Sequence, residues 1–233
     1  MENILVLGMG KVGSLVGLLL SKNFKVKAVD QKLPHYDYEF PFECVQADVT
    51  DLEWMEKEMA EHHAVVSALP YFLNKNIAQL AHDLGIHYFD LTEDVPTTKF
   101  IQGLQKTAKK ILAPQCGLAP GFIGIVGKDL CDSFDRLRDI ELRVGALPRF
   151  PNGLLAYSFT WSPFGVINEY LNDAEAIHNG KRKLVPSLQG FEHINIEGQE
   201  FEAFTTSGGL GTLCETYEGK VDTLNYKTIR YPG

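Results

Sequence analysis

Gly8-Met9-Gly10-Lys11-Val12-Gly13 leaves few folds open to this chain. Residues 3–7 before it (NILVL) form an apolar run of strand length, and residues 14–20 after it read as a buried helix. A polar turn follows, then a second run over residues 25–29 that ends on Asp30. A strand, a G-x-G-x-x-G turn, a helix and a second strand closed by an acid about 20 positions on make up the dinucleotide fingerprint. Each glycine has its own task. Gly8 permits the tight turn, Gly10 lets a pyrophosphate approach the backbone, and Gly13 lets helix and strand pack closely. The free N–H groups at the helix start, including those of Lys11 and Val12, then face phosphate at the positive end of the helix dipole. An ordinary glycine turn would leave Asp30 without a task. Asp30 is expected to accept the ribose hydroxyls and to repel a 2′-phosphate, so NAD is the expected cofactor, with NADP left open by nearby Lys32.

The chain of 233 residues has ample material for a core in one large domain or two modest ones. A net charge of −8 supplies no basic stripe for nucleic acid, so none is expected as a partner. The four cysteines, Cys44, Cys116, Cys131 and Cys214, lie far apart with no C-x-x-C pair. They read as free thiols of a reducing compartment, and no metal site is expected. No stretch approaches the roughly 20 apolar residues of a membrane helix, so the expectation is a cytoplasmic protein without a membrane partner.

Further along, strands are expected at residues 44–47, 64–69, 87–91 and 111–114, alternating with helices at 52–61, 76–84 and 97–110. Asp51 is the expected N-cap of the first of these helices and Gly85 the stop of the second. This alternation implies a Rossmann-type α/β domain, a doubly wound parallel sheet with ligand at the carboxyl ends of its strands. Three loops gather at that end: Pro70-Tyr71, residues 91–94 and residues 115–121. Ala68, Leu69 and Pro70 are expected beside the cofactor. Asp48 reads either as a contact at the adenine end or as a solvated turn carboxylate. Tyr71 and Lys75 match a Y-x-x-x-K catalytic pair, but that pair belongs on a later helix and here follows the fourth strand directly.

Past Gly121 the pattern changes. Residues 122–131 read as a helix, and residues 138–144 alternate as a half-buried strand. Similar runs are expected at 155–161, 193–196, 201–205 and 225–231, with one helix over 165–171. The expected division is a nucleotide-binding domain over residues 1–120 and a mainly antiparallel α+β substrate and dimerisation domain over residues 121–233.

These residues resemble the saccharopine dehydrogenase family, and most its lysine 6-dehydrogenase branch. The motifs are Leu69-Pro70-Tyr71, Cys116-Gly117-Leu118-Ala119-Pro120-Gly121, Trp161-Ser162-Pro163, Asn168-Glu169-Tyr170, His178-Asn179-Gly180-Lys181 and Arg230-Tyr231-Pro232-Gly233. The family runs well beyond the last of these, so the second domain reads as incomplete, with an unpaired edge expected at residues 225–231. Some relatives carry a basic residue where Phe164 stands here, so no carboxylate contact is expected there.

The resemblance implies NAD(P)-dependent oxidation at an amine-bearing carbon of an amino acid, by hydride transfer through an imine, in a homodimer. Tyr71, Cys116 and Thr206 would position substrate. Asp94 or Glu93 would act as base or hold the ammonium, and Arg230 would clamp a carboxylate with its planar fork. Two plainer readings stand beside these: Cys116 as a small packed residue, and Glu93 with Asp94 as a helix cap. Two other functions also stay open. One is a non-catalytic NAD(H)-sensing regulator of the kind found in potassium transport. The other is a carboxynorspermidine or homospermidine type enzyme.

Overall fold

The computed structural model describes residues 2–35, 37–154 and 156–233. The chain divides into two compact units, Met1–Cys116 and Gly117–Gly233.

In the first unit, β1 (Asn3–Leu7), β2 (Lys25–Asp30), β3 (Glu43–Gln46), β4 (Ala64–Ser67), β5 (His87–Asp90) and β6 (Leu112–Ala113) form one parallel sheet in the order β3-β2-β1-β4-β5-β6. The order reverses beside β1, the position at which such sheets bind ligand. β1 is apolar throughout because both of its faces are covered. Leu5 and Leu7 point into a core with Met55, Met59, Ile77 and Ile101. Ile4 and Val6 point the other way, toward Leu20, Phe24, Phe40 and Phe42. The loop before β3, polar and aromatic in sequence, thus contributes the rings of Phe40 and Phe42 to the second core layer.

The helices are α1 (Lys11–Leu20), α2 (Leu52–Ala60), α3 (Tyr71–Leu84) and α4 (Val95–Gln105). Asp51 caps α2 by accepting from Trp54 N at 3.1 Å. Gly85 closes α3 in the left-handed region at φ 67°, where a side chain would be strained. Two starts differ from expectation. α3 begins at Tyr71, not at residue 76, because Pro70 sits at its N-cap with φ −55°, a value already suited to helix entry. α4 begins at Val95 behind the cap Asp94, and its C-terminal end stops five residues short of the expected Lys110.

In the second unit, α5 (Phe122–Cys131) leads into β7 (Asp139–Val144), and α6 (Pro163–Leu171) into the hairpin β8 (Ala174–His178) and β9 (Lys181–Val185). A second hairpin, β10 (Glu192–Ile196) and β11 (Gln199–Thr205), precedes α7 (Leu213–Tyr217) and β12 (Thr223–Arg230). The sheet order is β10-β11-β12-β8-β9, with β7 also on β12. Every pairing is antiparallel except that of β12 with β7.

The expected free edge at residues 225–231 is therefore corrected. β12 is the central strand, with β7 alongside it and both β11 and β8 paired to it. The expected strand over 155–161 is absent as well. Leu155 lies outside the described residues, residues 156–161 form no strand, and Ala156 takes φ 47°. The hairpin of β8 and β9 was not anticipated, although Asn179 (φ 51°) and Gly180 (φ 75°) form its turn in the conformation an Asn-Gly pair favours. Among the described residues, no helix is long and apolar enough to cross a membrane.

Candidate functional site

The glycine turn is built tightly around its backbone. Gly8 has φ 89°, and a Cβ added there would lie 2.8 Å from Ala68 O. A Cβ on Gly13 would lie 1.7 Å from Gly8 O. Both positions exclude any side chain, and Gly13 does so because α1 rests directly on the turn. Gly10 differs, since an added Cβ would meet nothing within 4 Å. It is the N-cap of α1, with no side-chain cap and no acid in the first turn. α2 and α4 are capped by aspartates. An uncapped, glycine-fronted helix start at the switch point of a parallel sheet fits a dinucleotide phosphate, with the Lys11 and Val12 backbone in its first turn.

Asp30 ends β2 beside this turn. Its Oδ2 accepts from Met9 N at 2.5 Å and its Oδ1 from Lys32 N at 2.9 Å. Asp48 is exposed, and its Oδ1 accepts from the N–H and hydroxyl of Thr50 at 2.9 and 2.8 Å. Those bonds hold its carboxyl below its ordinary range, backbone donor first. The geometry gives Asp48 a turn-forming task. At the end of β4, Ala68 N donates to Leu7 O at 2.8 Å, bringing the Ala68-Leu69-Pro70 segment against the glycine turn.

The carboxyl end of β5 is tied to the loop after β6 by Asp90, which is fully buried. Tyr88 OH donates to its Oδ2 at 2.7 Å, while Thr92 N and Gln115 N donate to its Oδ1 at 3.0 and 3.1 Å. Cys116 N donates to its carbonyl at 2.7 Å. On β4, Ser67 Oγ donates to Asn74 Oδ1 at 2.7 Å, both groups buried. Burial raises the Asp90 carboxyl above its ordinary range although three donors oppose the shift. It lifts the Tyr88 phenol well above its own, with the Asp90 charge adding to the effect. Gln115 is held at φ 65°, a left-handed residue costing roughly 1–2 kcal/mol.

Next in the chain, Thr92, Glu93 and Asp94 are all buried. Asp94 Oδ2 accepts from Thr97 N at 2.8 Å, and Asp94 N donates to Thr92 Oγ1 at 3.2 Å. Asp94 is thus the N-cap of α4. Glu93 is only 7% exposed, and its Oε1 has no hydrogen-bond partner among the described residues. Burial pushes its carboxyl up to about 7, with the charges of Asp94 and Asp90 adding to the rise against a hydrogen bond from its own backbone. Cys116 is exposed and its thiol donates to Ala113 O at 3.3 Å, so the tightly packed reading does not describe it. Tyr71 is the first residue of α3, half-buried and edge-on to Phe72.

In the second unit, Leu224, Tyr226, Thr228 and Arg230 share one face of β12, which runs from apolar to polar along its length. Leu224 and Tyr226 enter the core with Ile140 and Leu142. Thr228 Oγ1 meets Thr206 Oγ1 at 2.7 Å, both buried. Arg230 stacks on Tyr157 at 4.6 Å and on Tyr170 at 5.7 Å from the ring centroids. Its Nε donates to Tyr170 OH at 2.9 Å and one terminal nitrogen to Ile229 O at 2.8 Å. It forms no ion pair among the described residues. Ser162 accepts from Gly165 N at 3.3 Å and Pro163 opens α6, so the W-S-P motif is the start of the helix that carries Tyr170.

The structure therefore gathers Gly8, Gly10, Lys11, Val12, Gly13, Asp30, Ala68, Leu69 and Pro70 at one turn. It places Glu93, Asp94 and Cys116 around Asp90, and Thr206 and Arg230 on the second sheet. The sequence reading passed over Tyr88, Asp90 and Tyr157.

Comparison with known proteins covers both units. Residues 4–114 match the profile of the saccharopine dehydrogenase NADP binding domain, and residues 117–233 that of the saccharopine dehydrogenase C-terminal domain. The saccharopine dehydrogenase [NADP(+), L-glutamate-forming] of Schizosaccharomyces pombe is 24% identical over 201 residues, spanning 82% of this chain and 44% of the relative. The alpha-aminoadipic semialdehyde synthase of Arabidopsis thaliana is 25% identical over 205 residues, 82% of this chain and 19% of the relative. The apo saccharopine dehydrogenase (L-Glu forming) of Saccharomyces cerevisiae superposes with a TM-score of 0.78 at 22% identity, covering 100% of this chain and 56% of that one. The chain spans less than half the length of the curated relatives it matches.

Proposed function

The chain belongs to the saccharopine dehydrogenase family, and on that premise we propose that it is an NAD(P)-dependent oxidoreductase acting on the amine-bearing carbon of a saccharopine- or lysine-type amino acid. The observation that carries this reading is the pair of glycines that behave oppositely. Gly13 is required by the protein's own packing, whereas Gly10 faces open space at an uncapped helix start and is explained by a ligand. When bound, the cofactor supplies the hydride acceptor. The chain's residues orient the phosphates through the α1 N-terminus and the ribose through Asp30, present Tyr71 and Cys116 to substrate, and hold the amine with Glu93. The second unit, taken by itself, offers a Thr206 hydroxyl and an Arg230 guanidinium suited to a carboxylate. Arg230 suits that task because its guanidinium is positioned by two rings and forms no ion pair among the described residues.

The sensor alternative loses ground to the match of residues 117–233 with the family's C-terminal domain. The polyamine-enzyme alternative keeps the chemistry and changes the substrate. The homodimer and the cytoplasmic location belong to the same proposal. Support comes from the outer strands β9 and β10, available for pairing between copies, and from four free cysteines. The test is a screen of NAD and NADP reduction over lysine, saccharopine, ornithine and their decarboxylated analogues, with light scattering for mass. Reduction with an amino acid is expected. Failure of every amine together with no NAD(H) binding would end the reading, and a monomeric mass at all concentrations would end the dimer.

A further inference from the structure

Three carboxylates are buried at the carboxyl end of the first sheet, and their oxygens are not equally engaged. Asp90 spends Oδ2 on the Tyr88 phenol and Oδ1 on two backbone N–H groups. Asp94 spends Oδ2 capping α4. Glu93, between them in sequence and 7% exposed like Asp94, has an oxygen that meets no donor among the described residues. A buried carboxylate oxygen without a donor costs stability, and such a cost persists at sites that use the group. Cys116 is a poor rival, being exposed with its thiol turned to a carbonyl.

We propose that Glu93 is the acid–base residue of the reaction and that Asp94 is not. The inference rests on the functional reading above and makes it specific. Glu93 Oε1 takes a proton from the ammonium nitrogen of the bound amine, freeing the nitrogen lone pair. The C–H bond then breaks and the hydride leaves with both electrons for the oxidised nicotinamide, while the lone pair forms the C=N bond of an iminium. Water adds at that carbon and loses a proton to solvent, giving a carbinolamine. Glu93 returns its proton to nitrogen, the C–N bond breaks, and the hydroxyl proton leaves to solvent as the carbonyl forms. The proton affinity of Glu93 suits both directions, because a group near 7 can accept and return a proton at neutral pH. The charges that bear on it come from Asp90 at the end of β5 and Asp94 at the head of α4. Tyr88 and Cys116 are the other titratable groups around Asp90.

The experiment compares Glu93→Gln, Glu93→Asp and Asp94→Asn with the parent protein in turnover against pH and in NADH binding by fluorescence titration. Asparagine remains a good cap, so Asp94→Asn should keep turnover and the pH profile close to those of the parent. Glu93→Gln should lower kcat by about 100- to 10,000-fold and erase the fall of kcat on the acid side of neutrality, with NADH affinity unchanged. Glu93→Asp should recover part of the loss with the acid limb displaced. Should the glutamine variant not fold, the acid limb of the parent and its displacement in Glu93→Asp decide the question. A glutamine variant within tenfold of the parent, or an acid limb unmoved by either Glu93 variant, overturns the inference while leaving the functional reading intact. Loss of the limb in Asp94→Asn overturns it too. A parent protein that neither binds NADH nor oxidises any amine removes the reading beneath it, and the inference falls with that.

Discussion

Met9 donates its backbone N–H to Asp30 Oδ2 at 2.5 Å, so the residue that closes β2 also fixes the turn that closes β1. The carboxylate that would select the ribose is thereby held by the phosphate loop itself, and its second oxygen is held by Lys32 N. A charge anchored at both oxygens cannot swing aside for a 2′-phosphate without releasing the glycine turn.

NADH should therefore bind more tightly than NADPH, by about tenfold or more, equivalent to roughly 1.4 kcal/mol. Asp30→Ala should erase that preference and also cost about 1–3 kcal/mol of stability, because a charge-assisted acceptor of Met9 N is lost. Parallel titrations with the two cofactors and a denaturant melt measure both effects. Tighter NADPH binding by the parent protein would contradict the argument.

The glycines separate structure from function. Gly13→Ala would place a methyl 1.7 Å from Gly8 O, so α1 must lift off the turn, at a cost of about 3 kcal/mol or more. Gly10→Ala meets nothing within 4 Å and should change stability by less than about 1 kcal/mol, while weakening nucleotide binding. Equal loss of stability in the two variants would refute the division.

Much of this was legible in the sequence because it depends on local rules. The run ending at Asp30, the cap Asp51 and the stop Gly85 each follow from one residue's own backbone or side-chain preference. What stayed hidden depends on partners distant in sequence. Asp90 looks like an ordinary strand end until Gln115, 25 residues later, donates to it. β12 looks like an edge until β7, β8 and β11 are counted beside it. Asp94 was legible as a cap and as a base, and the Thr97 contact shows the cap.

Arg230 lies over Tyr157 and Tyr170 with Nε on the Tyr170 hydroxyl. Arg230→Lys keeps the charge but loses the fork and the stacking plane. It should cost on the order of 1.5–3 kcal/mol in transition-state binding, about 10- to 100-fold in kcat/KM for an amino-acid substrate. Decarboxylated substrates should be poor with both proteins. Equal activity of the parent on lysine and cadaverine, or an unaffected variant, would remove Arg230 from the site.

Glu93 should also be visible in stability, with a sign opposite to that of a salt-bridged acid. Its carboxyl is raised from 4.5 to about 7 in the folded protein, so between those values the native state holds a proton that the unfolded chain has released. Stability must then fall as pH rises through that window, and the loss is complete above it. For a side chain 7% exposed, a shift of this size corresponds to a contribution on the order of 3 kcal/mol. Glu93→Gln cannot ionise and keeps nearly the same shape, so it should be more stable than the parent above neutrality and converge with it below about pH 4.5. Denaturant melts of both proteins across this range measure the difference. A variant equal to or less stable than the parent at alkaline pH would mean that the Glu93 carboxylate is satisfied in the folded chain after all.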